Sequence, residues 1–286
     1  MTDSRARRMW KALEPYHAIT YFSPDTKQAT DALGLKGGWM SYFGCRAAPL
    51  GPVGPDLVAA LFYSFHPAMV ARALPDAWDH ATPAQLLDAR LQAVDNAVRR
   101  LFPGTSFQRA ADVARQAADL APVSGRPMAA ANAALDWPDE PHLVLWQATT
   151  ILRESRGDGH VAALVAAGLS PCQACLTISA AGGPSKEVFQ VNRRWSDEDW
   201  AAAEDELRGR GLLDSTGALT DAGRALRQEV EDTTDRLADQ GWRALGDDLT
   251  AELHDLVHPL SAKLMSARFI PPDNPMALRW DQPSSR

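Results

Sequence analysis

The stretch from Trp195 to Gly223 constrains this chain most. Ser196 is a natural N-cap, and Asp197, Glu198 and Asp199 fill a first helical turn, where the helix dipole favours anions. Trp200, Ala203 and Leu207 then recur at helical spacing. Arg208-Gly-Arg-Gly211 ends that helix. Leu212 to Leu219 reads as a tiny hairpin around Gly217, and Thr220-Asp221-Ala-Gly223 opens the next helix.

Helix, hairpin, helix is the order of a winged helix, in which the first of these helices reads DNA. Here that helix carries Asp197, Glu198, Asp199, Glu204, Asp205 and Glu206, and no Arg or Lys stands between Gly211 and Arg224. DNA affinity comes mainly from neutralising phosphates with cations. The expectation is a scaffold that has lost DNA binding, its helix serving as a wall with Trp200 and Leu207 buried and Asp197, Glu198 and Glu204 exposed. The formal net charge of −7 agrees, disfavouring DNA and anionic membranes as partners. The main cationic cluster, Arg5, Arg7, Arg8 and Lys11, reads as a solvated, frayed start.

The 286 residues are 45% apolar, enough for a sizeable core in one or two domains. No apolar run approaches a membrane span and the start lacks a signal-peptide core, so a cytoplasmic protein is expected. Most segments read as helix, giving a mainly α fold. Asp56 to Ala73 reads as one apolar helix, and Thr82-Pro83 opens another that runs to about Phe102. Gly37-Gly38 reads as a loop. A helix from Glu140 to Glu154 is expected to break at Arg156-Gly-Asp-Gly159 and resume at Val161. Residues 1–138 form a helical, winged-helix-like first domain on this reading, 139–270 the winged-helix domain with C-terminal helices, and 271–286 a loose tail. Trp78 before Thr82-Pro and Trp195 before Ser196-Asp echo one another. A diverged duplication folded as a pseudo-dimer fits that rhythm, and so does chance similarity between two helical halves.

Arg153-Glu-Ser-Arg156-Gly-Asp158-Gly-His160 crowds charge between apolar segments. Buried charges need partners. One reading is a ligand site, with Arg153 or Arg156 holding a carboxylate or phosphate and His160 moving a proton or binding a metal; the other is a structural knot in which Asp158 caps the following helix and pairs an Arg. In the first half, His17 and Tyr21 share a helix face with Glu14, and Arg46 and Tyr63 stand among apolar or small residues. Trp39 is the candidate aromatic wall. The expected site is a central cleft between the halves, lined by His17, Tyr21, Trp39, Arg46, Tyr63, Arg153, Arg156, Asp158 and His160. Its ligand would be a small, partly apolar organic molecule with an anionic group. No cofactor is specified. Glu14-x-x-His17 is one half of a di-iron pattern whose second half is missing, so no metal is expected. Cys172 and Cys175 read as small core residues.

His17-Ala18-x-x-Tyr21-Phe22, Arg46-Ala-Ala-Pro-Leu-Gly51, Phe62-Tyr63-x-Phe65, Arg156-Gly-Asp-Gly-His160 and Trp200 through Gly223 together give the chain a family likeness. It resembles a group of actinobacterial helix-turn-helix, MarR-like proteins over nearly its whole length. The resemblance implies a helical fold ending in a winged helix. It supplies no activity; the residues themselves lead to two expected functions, a small-molecule binder or enzyme on a winged-helix scaffold without DNA binding, or a ligand-responsive MarR-like regulator, with a protein-interaction module using the acidic face as a third.

Overall fold

In the computed structural model, which describes residues 3–276, 278 and 280, the chain is mainly helical; the one β-type pairing among the described residues is a bridge between Leu213 and Leu219. The first half supplies α1 (Arg5–His17), α2 (Ile19–Phe22), α3 (Pro24–Ala32), α4 (Gly37–Ala47), α5 (Pro55–Phe62), α6 (Pro67–Ala71), α7 (Asp76–His80), α8 (Pro83–Leu101), α9 (Gln108–Asp119) and α10 (Pro127–Ala133). The second supplies α11 (Pro141–Ala166), α12 (Pro171–Ala180), α13 (Lys186–Arg193), α14 (Asp197–Gly209), α15 (Asp221–Leu245) and α16 (Asp247–Ser266). No single helix among the described residues is long and apolar enough to cross a membrane.

Helix starts follow local chemistry. Thr82, Ser170 and Ser196 each accept from the third backbone N–H of their helix, while Gln85, Gln173 and Asp199 reach back to the cap. Such a cap is worth about 1 kcal/mol. In α14, Trp200, Ala203 and Leu207 are buried and Asp197 and Glu198 exposed, as the wheel requires. Glu204 is only half-exposed, because Arg208 one turn on pairs with it at 2.9 Å.

α11 is the spine, packed against α1, α9, α10 and α15. Trp146, Tyr16, Leu145 and Val257 anchor the largest apolar cluster. Phe43, Phe62 and Phe65 anchor a second on α4–α8, and Leu169, Trp200 and Leu207 a third around α12–α14.

Three local expectations are corrected along the helices. The break at Arg156–Gly159 is absent, since α11 runs through it. A helical glycine costs about 1 kcal/mol against alanine, but Trp146 and Ile151 on one side and Leu164 on the other are buried, and that packing decides. Gly159 packs against α15, where a Cβ would make ordinary contact with Leu237 at 3.4 Å. Conversely, the helix expected over Asp56–Ala73 is broken at Tyr63, which has φ 52 and ψ −65. The Ser64 N–H donates to the Phe62 carbonyl at 2.7 Å, making the rare γ-turn. Gly37-Gly38 opens α4 instead of looping.

The N-terminal cations are not frayed either. Arg5 pairs with Asp239 at 2.9 Å, and Arg7 with Glu231 at 2.6 Å and Asp235 at 3.2 Å, zipping α1 onto α15. In the stretch expected as a tail, Leu278 N–H donates to Asn274 at 3.1 Å, and Leu278 packs with Ala18 and with Ile270 just before it. Residues 277, 279 and 281–286 of that stretch lie outside the described residues.

Candidate functional site

Continuity of α11 turns the sequence cluster into a helical stripe. Residues 153, 156, 160 and 164 recur at spacings of three and four, so Arg153, Arg156 and His160 share a face. That face opens onto a cleft of about 920 Å³, walled by α1, α4, α5, α12 and α15 and by the bridge segment at Leu219. Eight Lys and Arg side chains line it against three carboxylates. In a chain whose net charge is −7, the cations have been turned inward.

At the floor, Glu154 is 2% exposed. Arg46 on α4 grips it with two parallel bonds, Nε and Nη2 each donating at 2.9 Å, and Arg153 Nη1 adds a third at 3.0 Å. Burial works against ionising Glu154, yet Arg153 and Arg46 outweigh it and hold the carboxyl far below the usual range. Arg46 also donates to the Tyr42 hydroxyl at 3.0 Å and lies 4.0 Å over the Phe62 ring. Arg153 approaches Glu14 of α1 at 3.5 Å, while Glu14 Oε2 is buried with no hydrogen-bond partner. Burial raises the Glu14 carboxyl against the pull of Arg153.

At the other end, Arg156 pairs with Asp235 at 2.8 Å and lies 5.4 Å from the Trp10 ring; Arg227 pairs with Glu231. Arg156 and Arg227 each keep one buried Nη1 without a partner. His160 Nδ1 meets Thr234 Oγ1 at 2.8 Å, and that hydroxyl gives its proton to the Val230 carbonyl at 2.7 Å. Nδ1 must therefore carry a hydrogen, leaving Nε2 as an acceptor in the neutral ring. Burial, then the guanidinium groups of Arg227, Arg156 and Arg7, push His160 down to about 3.

The expected site residues divide accordingly. Arg46, Tyr63, Arg153, Arg156, Asp158 and His160 line the cleft. His17 and Tyr21 lie beneath the floor by a void of about 10 Å³, together with Arg46 and Glu154. His17 Nδ1 lies 3.0 Å from the Thr150 hydroxyl, whose own proton goes to the Trp146 carbonyl, and His17 Nε2 accepts from Tyr21 at 3.2 Å. Trp39 does not line the cleft; its ring stands edge-on to Tyr42 at 5.7 Å and Phe65 at 6.1 Å. Asp158 does not cap a helix of its own. It accepts from the Ala129 N–H at 3.0 Å, in the first turn of α10, and burial raises it to about 6.

Sequence reasoning missed Arg7, Trp10 and Arg227 as cleft residues. The available signal was Arg227-x-x-x-Glu231, a helical pair repeated one turn before Asp235. Among the described residues, no group of three or more His, Cys, Asp or Glu could hold a metal ion.

Tyr63 links the cleft to the second half. Its hydroxyl donates to the Leu169 carbonyl, and Trp195 Nε1 donates to the Ser64 carbonyl at 2.9 Å. Arg193 Nε donates to Ser64 Oγ at 3.1 Å, and the His66 N–H to the Arg193 carbonyl at 2.9 Å. These bonds over-determine the strained turn.

No curated protein and no solved structure matches the chain. The chain belongs to a Helix-turn-helix family, whose sequence profile matches residues 6–271; that membership points to a scaffold of the DNA-binding type.

Proposed function

We propose that this protein binds a small, partly apolar organic molecule with an anionic group, using a winged-helix scaffold that no longer reads DNA. The observation that carries this reading is the inward-facing excess of eight cationic over three acidic side chains in an acidic chain. Arg46, Arg153, Arg156, Asp158, His160 and Tyr63 supply polar groups, and Trp10, Phe62, Leu164 and Met276 supply apolar surface. His17 and Tyr21 brace the floor.

The cations near α14 support the loss of DNA reading. Arg193 is buried, 4.2 Å over Phe65. Arg208 is paired with Glu204 and Asp205, each at 2.9 Å. Arg210 Nη1 donates to the Gly168 carbonyl at 2.8 Å, and Lys186 pairs with Asp197 at 2.6 Å. Arg194 is exposed, a single cation beside a helix that carries six carboxylates.

The test is native mass spectrometry of the gently purified chain, followed by the double variant Arg156→Ala/His160→Ala. A bound organic acid that the folded double variant loses is the expected result. A ligand retained by that variant refutes the site.

One observation favours a second reading, a ligand-responsive MarR-like regulator. The Tyr63–His66 turn ties the cleft wall to Arg193 and Trp195, just before α14. A gel-shift at low salt against the gene's own upstream DNA decides. Saturable, sequence-selective binding released by the ligand selects the regulator.

A further inference from the structure

Given that the cleft is a ligand site, the reading on which this inference rests, its α15 end narrows which anion it takes. Three cations gather there, Arg7, Arg156 and Arg227, against two carboxylates, Glu231 and Asp235. His160 adds no charge when neutral. One positive charge is left uncompensated in a region where Arg227 is 8% exposed. Uncompensated buried charge is costly, and a monoanion balances it, whereas a dianion overshoots.

The hydrogen-bond inventory agrees with the charge. Two buried donors lack acceptors, Nη1 of Arg156 and Nη1 of Arg227. Both atoms are closed to water, so each guanidinium must turn to meet a ligand; a carboxylate offers two acceptor oxygens, one to each. A third position needs the opposite chemistry. The Thr234–Val230 relay fixes the hydrogen of neutral His160 on Nδ1, so Nε2 is an acceptor on a ring that lines the cleft. A carboxylate oxygen against that lone pair is repelled, while a hydroxyl satisfies it. Trp10, Leu164, Ile178 and Met276 leave apolar wall for the rest of the molecule.

We propose that the ligand is a hydroxy-carboxylic acid with an apolar tail, its carboxylate bridging the free Nη1 groups of Arg156 and Arg227 and its hydroxyl donating to Nε2 of His160. The histidine then stays neutral in the complex, and binding takes up no proton.

Isothermal titration of the full chain tests this with two matched pairs, 3-phenyllactate against 3-phenylpropanoate and 3-hydroxydecanoate against decanoate, plus phenyl phosphate. Running each titration in buffers of different ionisation enthalpy reads the proton count. At least one hydroxy acid is expected to bind about tenfold tighter than its deoxy partner, because the deoxy acid strands a buried acceptor. Phenyl phosphate is expected to bind more weakly, and Arg227→Met to weaken both acids of the responding pair. Equal affinities within both pairs, tighter phenyl phosphate, proton uptake on binding, or no hydroxy acid binding below about 1 mM overturns the proposal. The wild-type ratio needs no variant, so a misfolded substitution cannot obscure it. A co-purified acid without a hydroxyl, held in the cleft, sinks this inference and leaves the ligand-site reading standing; an empty cleft on native mass spectrometry removes both.

Discussion

Replacing His160 by glutamine should change how stability responds to acid. The ring is buried against α15, and burial and then Arg227, Arg156 and Arg7 hold it down to about 3, against an ordinary value of 6.5. A depressed group contributes stability that is present above its unfolded value and is lost as pH falls through the folded one. From pH 6.5 to about pH 4, the unfolded chain binds a proton that the native chain refuses. That interval of about 2.5 units, at ~1.36 kcal/mol each, removes about 3.4 kcal/mol from the wild type. Glutamine keeps a donor for Thr234 and an acceptor towards the cleft but does not titrate, so His160→Gln escapes this loss. For a chain of this size the unfolding entropy is about 0.6 kcal/mol/K, so the Tm difference, variant minus wild type, should rise by about 6 °C over that range. His17 is also depressed by burial and then by Arg153, but it is present in both proteins and cancels in the difference. Calorimetric scans of both proteins across the range give the answer. Parallel Tm curves refute the neutral, caged imidazole, and with it the assignment of Nε2 as an acceptor.

Three further outcomes are expected. Asp158 is raised to about 6 from 3.8, so its contribution is fully present below about pH 3.8 and lost as pH rises through about 6; Asp158→Asn should stabilise the chain by up to about 3 kcal/mol near pH 8 and by little near pH 3.5, read by urea unfolding. Glu154→Gln strands the Arg46 and Arg153 guanidinium groups side by side and should cost about 3–5 kcal/mol at neutral pH in the same assay, a loss under 1 kcal/mol refuting the floor network. Burial pushes the Cys172 and Cys175 thiols up to about 12 and about 11, so iodoacetamide at about pH 8 should alkylate them far more slowly in the native chain than in denaturant, as mass spectrometry can follow.

What the sequence made legible was local chemistry. Ser196, Ser170 and Thr82 announce helix starts because capping is decided within four residues. The wheel of α14 was readable because Trp200, Ala203 and Leu207 have no other way to leave water together. What failed was decided at a distance. Gly157 and Gly159 look like a break until Trp146, Ile151 and Leu164 are buried on either side of them, and Tyr63 looks helical until Leu169, Arg193 and Trp195 claim it and its neighbours. Arg153, Arg156, Asp158 and His160 were recognisable as a group, because charges between buried segments need an explanation. Their partners were not: Arg46 lies 108 residues from Glu154, and Arg7 and Arg227 reach His160 only through packing of α1 and α15.

The two halves of the electrostatic pattern explain one another. A protein that grips phosphates must leave cations on its reading face, and each cation drawn inward is one fewer there. Here Arg193 turns from the edge of α13 towards Ser64 and Phe65, and Arg210 is committed to the carbonyls at the end of α11. On the proposed reading, the exposed Asp197 and Glu198 on the outer face of α14 need not meet a duplex, and the side of the helix that packs is the side that matters. Arg193 lines the cleft, so on the proposed reading its charge serves a small anion and not a duplex. On that account, placing lysines at Asp197 and Glu198 would restore charge to the outer face without restoring a reader, since Arg193 would still be buried and Arg210, though exposed, would still be bonded to the Ala167 and Gly168 carbonyls.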